Sequence, residues 1–152
     1  LNEDQCNSID WYTLGSSDGA SGKSASTINA HAEACVKFNI VPDREAWRSG
    51  WDLGIRQFCT PQRGVDQGRN ARYYSNVCPA DLAAQFNEGY RIGKRVYDAR
   101  IALDSLKREI DQDIVALSEA TAEERLQLQL RIELKRSRLF DLQNRYRLEK
   151  CH

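Results

Sequence analysis

The sequence contains no methionine, two histidines (His31 and His152) and three prolines, the last at Pro79. It also has no glycine after Gly93. Without methionine the chain as it stands is not a primary translation product. The expectation is a mature sequence that has lost a signal peptide, although trimming would leave the same appearance. The charges cancel, 22 basic against 22 acidic, so no strong field draws the chain to nucleic acid or to an anionic membrane. No apolar run approaches the roughly 18 residues of a membrane span. Membrane contact is therefore expected only through a lipid anchor upstream of this chain. Two histidines and no C-x-x-C pair make a poor zinc donor set, because zinc needs four ligands that usually come in close pairs. No metal and no cofactor are expected.

Five cysteines are present. Cys6, Cys35, Cys59 and Cys78 fall in the first 78 residues, and Cys151 stands alone near the end. A disulfide framework in an oxidising compartment fits this distribution. Several pairings can be drawn. The sequential set, Cys6–Cys35 and Cys59–Cys78, is favoured because each bridge closes a short local loop. Cys151 is left free, or available for an intermolecular bridge.

The stretch Gly15 to Ser24, GSSDGASGKS, ends like a phosphate-binding loop. The consensus G-x-x-x-x-G-K-[ST] requires a glycine at position 17, which is Ser17 here, and a buried strand before the loop. Gly15 comes two residues early, Asp18 would oppose a phosphate, and the preceding Ser8 to Leu14 has little strand character. No nucleotide is expected. The segment reads as a helix-packing element, with Asp18 or Ser24 capping a helix terminus.

The chain changes character near Cys78-Pro79, which divides it into residues 1–80 and a continuous second part, 81–152. Apolar residues in the second part recur at Ile92, Val96, Ala99, Leu103, Leu106, Ile110, Ile114 and Leu117, mostly in steps of three and four. That is a helical stripe of coiled-coil type. After a lapse, Thr121 with Glu124 forms a capping box. Leu126, Leu130, Leu134, Leu139, Leu142 and Tyr146 follow, and Leu128 and Ile132 widen the face. The spacing predicts an antiparallel hairpin, with one helix from about Pro79 to Leu117 and a second from about Ala122 to Lys150. The second helix should end opposite about Gly89, which places Cys151 near the glycine-rich half.

The first part echoes itself. Trp47-x-x-Gly50-Trp51-x-x-Gly54 matches Phe86-x-x-Gly89-Tyr90-x-x-Gly93, and Trp11 to Gly19 is a looser copy. On a helix, Gly50 with Gly54 and Gly89 with Gly93 form grooves flanked by aromatic ridges. Helical glycine costs about 1 kcal/mol relative to alanine. The expected compensation is close backbone approach by a neighbouring helix.

Candidate chemistry is thin. His31 and Cys35 lie four apart, but Cys35 is expected in a disulfide, and His31 reads as a surface or capping histidine. Asp43 reads as a helix N-cap with Glu45 in the first turn; Asp52 is a further carboxylate. Residues 62–74 read as a loop constrained by the Cys59–Cys78 bridge. Its Arg63, Arg69, Arg72, Tyr73 and Tyr74 offer a contact surface for an anionic sugar, a peptide or a partner protein. The blander alternative is a solvated loop with glycine turns and inward tyrosines.

The ordered set Asp10-Trp11-Tyr12-x-x-Gly15-x-x-Asp18-Gly19-x-x-Gly22, Ala34-Cys35, Val41-Pro42-Asp43, Gly50-x-x-x-Gly54-x-x-x-Phe58-Cys59, Gly64-x-x-x-Gly68 and Val77-Cys78-Pro79 resembles an uncharacterised proteobacterial family of small envelope proteins. Many of these are lipoproteins, and the family is catalogued as a domain of unknown function, DUF2799. Trp47 and Phe58 stand where that pattern leads one to expect tyrosine. The resemblance covers about Cys6 to Gly93. It implies an address outside the cytoplasm, in the periplasm or at the outer-membrane periphery of a Gram-negative bacterium. It supports the four-cysteine framework and implies no activity.

The expected fold is all-α: a small disulfide-braced domain with glycine–aromatic repeats that runs into a long helical hairpin. The expected function is a non-enzymatic structural or protein-interaction module of the cell envelope, with an envelope protein or a second copy as partner. The runner-up is a periplasmic binding module for a small or glycan-like ligand, acting through residues 62–74.

Overall fold

The computed structural model describes residues 1–151. They form seven helices: α1 (Glu3–Ser8), α2 (Trp11–Ala20), α3 (Thr27–Val36), α4 (Arg44–Phe58), α5 (Pro61–Arg69), α6 (Ala80–Glu119) and α7 (Ala122–Lys150). No strand occurs among the described residues. The all-α expectation holds.

Local sequence sets most boundaries. Asn2, Asp10, Asp43, Thr60 and Thr121 each cap a helix by accepting a backbone N–H with the side chain, which satisfies donors that have no partner within the helix. Pro61 opens α5 at a position where its missing N–H costs nothing. The Thr121–Glu124 capping box opens α7 where the sequence places it. Gly22 closes the turn after α2 at φ 75°, beneath the Phe58 ring. Asp18 is not a cap, contrary to expectation; that role at α2 belongs to Asp10.

The glycines build two helix pairs. Gly15 and Gly19 of α2 face Gly50 and Gly54 of α4, and Gly64 and Gly68 of α5 face Gly89 and Gly93 of α6. A Cβ placed on Gly50 would lie 1.9 Å from the Tyr12 carbonyl oxygen, and one on Gly93 would lie 2.1 Å from that of Val65. The helices therefore touch backbone to backbone. Gly64 and Gly68, read as turn formers, instead supply half of the second contact, and residues 62–69 are helix rather than loop. The correction has a simple cause. Thr60-Pro61 starts a helix strongly, and α6 offers a glycine groove to receive it.

Between and beside these pairs lies one apolar core of Ile28, Trp47, Trp51, Ile55, Phe58 and Phe86. Phe58 stacks on Phe86 at 5.3 Å, and Tyr74 packs on Phe86 at 4.5 Å. The expected disulfides are both present. Cys6–Cys35 joins α1 to α3 across 29 residues, and Cys59–Cys78 joins the end of α4 to the approach to α6 across 19. Closing loops of that size removes unfolded-state entropy worth about 3 kcal/mol per bridge. Replacing Cys59 and Cys78 together with alanine is expected to lower the unfolding free energy by about 3 kcal/mol, as read by urea denaturation.

Helix α6 is shared. Its first turns pack on α5, and its later turns pair with α7 through Leu106, Ile110 and Ile132, flanked by Leu117, Leu139 and Leu142. At 1.5 Å per residue its 40 residues span about 60 Å. The seam differs from expectation in two places. Ile114 is exposed, and Asp113 takes its place in the 103-106-110-113-117 series at 6% exposure. Leu126, Leu130 and Leu134 face solvent rather than α6. A step of either three or four after Ile110 continues a helical stripe. The choice of Asp113 is decided by α7, whose Arg131 and Lys135 reach its carboxylate at 2.6 and 2.8 Å. Helix α7 ends with Glu149 bonded to Arg95, slightly short of the expected level of Gly89. Cys151, exposed and unpaired, thus lies towards the glycine-rich half.

Candidate functional site

The most unusual group in the disulfide-braced part is Asp18. It sits on α2 between Gly15 and Gly19, on the face those glycines press against α4, and it is 1% exposed. A buried charge is tolerable only if it is paired and hydrogen-bonded. Here Oδ1 accepts from Lys23 Nζ at 2.7 Å. Oδ2 accepts from Trp47 Nε1 at 3.2 Å. His31 Nε2 lies 2.7 Å from the same oxygen, and because a carboxylate only accepts, the histidine donates. Burial alone would raise the pKa of the Asp18 carboxyl. The bonds from Lys23, His31 and Trp47 outweigh it and hold the carboxyl below the usual range.

This arrangement disposes of the phosphate-loop segment physically. Gly15 to Ala20 are helical, so their backbone N–H groups do not form an open cradle. Lys23, the residue a phosphate would need, folds back onto Asp18, while its carbonyl accepts from Trp51 Nε1 at 2.8 Å. Ser24 accepts from the Ser26 backbone N–H just ahead of α3. His31 is not the surface or capping residue expected. It is half-buried, bonded to Asp18 and set edge-on to Trp47 at 6.5 Å. Cys35 is oxidised, so the His31–Cys35 spacing offers no thiolate. Asp43 caps α4 through the Ala46 N–H at 2.9 Å, and Asp52 pairs with Arg48 at 3.0 Å. Among the described residues no group of three His, Cys, Asp or Glu side chains is placed to hold a metal ion.

The five Arg and Tyr residues of 62–74 do not share one surface. Arg63 is exposed on α5, and Arg72 and Tyr73 are exposed after it. Tyr74 turns inward against Phe86 and Tyr90, and its hydroxyl accepts from the Cys78 N–H at 3.3 Å. Arg69 is half-buried and lines a depression that α6 and the end of α7 complete. The reason is helical: six residues on a helix turn Arg69 well away from Arg63. The residues assigned to helix packing behave as a set. Trp47 stacks on Trp51 at 6.4 Å, and Phe86 and Tyr90 flank Gly89 on the α5 side.

Two surface features remain. One is a groove of about 570 Å³ between α5 and α6, walled by Pro61, Val65, Ala84, Gln85, Gly89 and Ile92. The other is the outer face of α7. Leu126 (62%), Leu130 (54%), Leu134 (73%), Phe140 (64%) and Leu148 (67%) are all exposed, and at 3.6 residues per turn they fall on one side, opposite Ile132, Leu139 and Leu142. A helix with a second apolar side after its first has been buried departs from the usual polar outer face. The sequence contains these leucines, but without a partner helix in view they read as the inner face.

A comparison with family models matches residues 10–95 to a family described as Protein of unknown function (DUF2799), more than half of the 152-residue chain. No curated protein and no solved structure matches.

Proposed function

The chain belongs to the DUF2799 family, and we propose that it is a non-enzymatic structural and protein-interaction module of the bacterial cell envelope that associates with a second copy of itself through α7. The observation that carries this reading is the outward leucine face of α7. A row of large apolar side chains, each more than half exposed, is favoured to bury against another apolar surface. The ends of the helix suit a second copy lying antiparallel. The first turn carries Glu123 and the last carries Arg147, so reversing one helix against the other sets acid against base at both ends. A symmetric dimer of this kind is a four-helix arrangement. The two disulfides favour an oxidising location, and the periplasm is the proposed one.

Sedimentation equilibrium of the Cys151→Ser chain, which excludes a Cys151 crosslink and keeps both structural disulfides, is expected to show a dimer. Leu130→Glu with Leu134→Glu should weaken association at least tenfold while leaving helix content unchanged. A wild-type chain that stays monomeric at high protein concentration overturns self-association; capture of a different helical partner by the same face would then redirect the interaction reading. Small-ligand binding is a second reading, favoured by the α5–α6 groove rather than by the whole of residues 62–74.

A further inference from the structure

The depression beside Arg69 lies where the disulfide-braced part meets the end of the hairpin. Its volume is about 220 Å³, and Arg69 and Asn70 from the end of α5, Tyr97 and Arg100 from α6, and Tyr146 and Lys150 from α7 line it. No carboxylate is among the lining residues. In a chain with equal numbers of acids and bases, three cations around one hollow need an explanation.

The nearby acids are committed elsewhere. Asp98 pairs with Lys94, Glu149 with Arg95, and Asp66 accepts from Gln62. Among the described residues, Arg69, Arg100 and Lys150 take part in no ion pair. Arg100 rests over the Tyr97 ring at 5.3 Å. Nε of Arg69 is buried and has no hydrogen-bond partner, so no protein acceptor holds the guanidinium at that nitrogen.

We propose that this pocket binds a phosphate-type oxyanion. The hollow falls below the usual range for drug-sized ligands and suits one tetrahedral group. Arginine forks recognise oxyanions with two parallel donors. Tyr97 and Tyr146 carry hydroxyls that add neutral donors, and the Asn70 amide nitrogen, which already donates to the Asp66 carbonyl at 2.7 Å, has one N–H left. Three cations match a phosphate monoester, which carries nearly two charges at neutral pH, better than a single carboxylate. Because the lining comes from α5, α6 and α7, the bound anion fastens the end of the hairpin to the glycine-packed domain. The phosphate can be carried by a small solute or by a lipid headgroup, since both present the same oxygens. This site is independent of self-association through α7.

The test is calorimetric titration of the full chain with inorganic phosphate at ionic strength matched with chloride. It is accompanied by co-sedimentation with phosphatidylcholine vesicles, with and without phosphatidic acid. Arg100→Gln is expected to weaken binding about tenfold, the loss of one charge-assisted bond. Lys150→Gln, at the exposed end of α7, should weaken it in the same direction without touching the core. Arg63→Gln, on α5 outside the pocket, should leave it unchanged. Arg100-dependent binding of free phosphate without vesicle binding assigns a solute, and Arg100-dependent binding to phosphatidic acid vesicles assigns a headgroup. No binding beyond the chloride control in either arm, or binding that both pocket variants leave intact, overturns the proposal.

Discussion

Gly50→Ala combined with Gly54→Ala is expected to lower the unfolding free energy by about 4 kcal/mol, against the direction that helix propensity alone would give. Alanine is favoured over glycine inside a helix by about 1 kcal/mol per site, so an isolated α4 would gain from both changes. In the folded chain the added methyl at Gly50 meets the Tyr12 carbonyl oxygen at 1.9 Å, and that at Gly54 meets the Ser16 carbonyl oxygen at 2.1 Å. These neighbours are backbone atoms of a packed helix. They cannot swing aside as the end of a lysine would, so α2 and α4 must part. Overpacking of this kind costs up to about 3 kcal/mol per site, which exceeds the propensity gain at each. Parting the helices also loosens Trp47 and Trp51, which lie beside the contact. Urea unfolding with the disulfides intact checks the result, and Ser49→Ala on the exposed side of the same helix should shift stability by less than about 0.5 kcal/mol. A stabilised double variant would mean that the two helices are not in backbone contact.

Asp18→Ala is expected to cost about 4 kcal/mol, in the range for removing one partner of a buried, hydrogen-bonded charge network. Trp47 is fully buried, and its indole N–H would lose its acceptor; a buried donor left unmet costs about 1–3 kcal/mol by itself. His31 and Lys23 would lose the same partner. Asp18→Asn keeps an oxygen for Trp47 or His31 and should cost about half as much.

The pH dependence has a definite sign. The Asp18 carboxyl is held below its ordinary value in the folded chain, so its stabilising contribution is complete above the unfolded value near about pH 4 and is lost as pH falls through the lower folded value. The gap in stability between wild type and Asp18→Asn, measured by urea unfolding, is therefore expected to be constant near neutrality and to shrink only below about pH 4. A gap that closed well above that pH would mean that the Asp18 carboxylate is not its source.

The same logic operates once more, far from the glycine pairs. Asp113 lies in the apolar seam of the hairpin and is met by Arg131 and Lys135. Those hydrogen bonds, from Arg131 first and then Lys135, lower its pKa against the opposing effect of burial. A charged residue in a seam contributes less to stability than leucine would, but it selects one alignment of the two helices, because any slip leaves the carboxylate unmet. The α6–α7 register then places Glu149 beside Arg95 and Lys150 beside the Arg69 pocket.

Much of the fold is legible in the residues one after another. The capping box at Thr121, the N-cap at Asp43, the change of character at Pro79 and the helical periods on either side of Glu119 are local signals, because each depends on neighbours within one or two turns. The pairing of Cys6 with Cys35 and of Cys59 with Cys78 follows from the shortness of the loops. The buried position of Asp18 also had a local signal. It shares a helical face with Gly15 and Gly19, and a face that packs backbone to backbone leaves a charge on it no route to water.

The sequence by itself therefore determined the two long helices and their ends, the staples and the need of its glycine stripes for close neighbours. Only the tertiary structure decided which stripe meets which, that Gly64 and Gly68 belong to a helix, and which of two opposite apolar faces of α7 turns inward. Periodicity records that a face is apolar, not what it touches. Where four glycine stripes or two leucine faces satisfy the same rule, the choice falls to contacts between residues distant in the chain: Tyr12 with Gly50, Val65 with Gly93, Arg131 with Asp113.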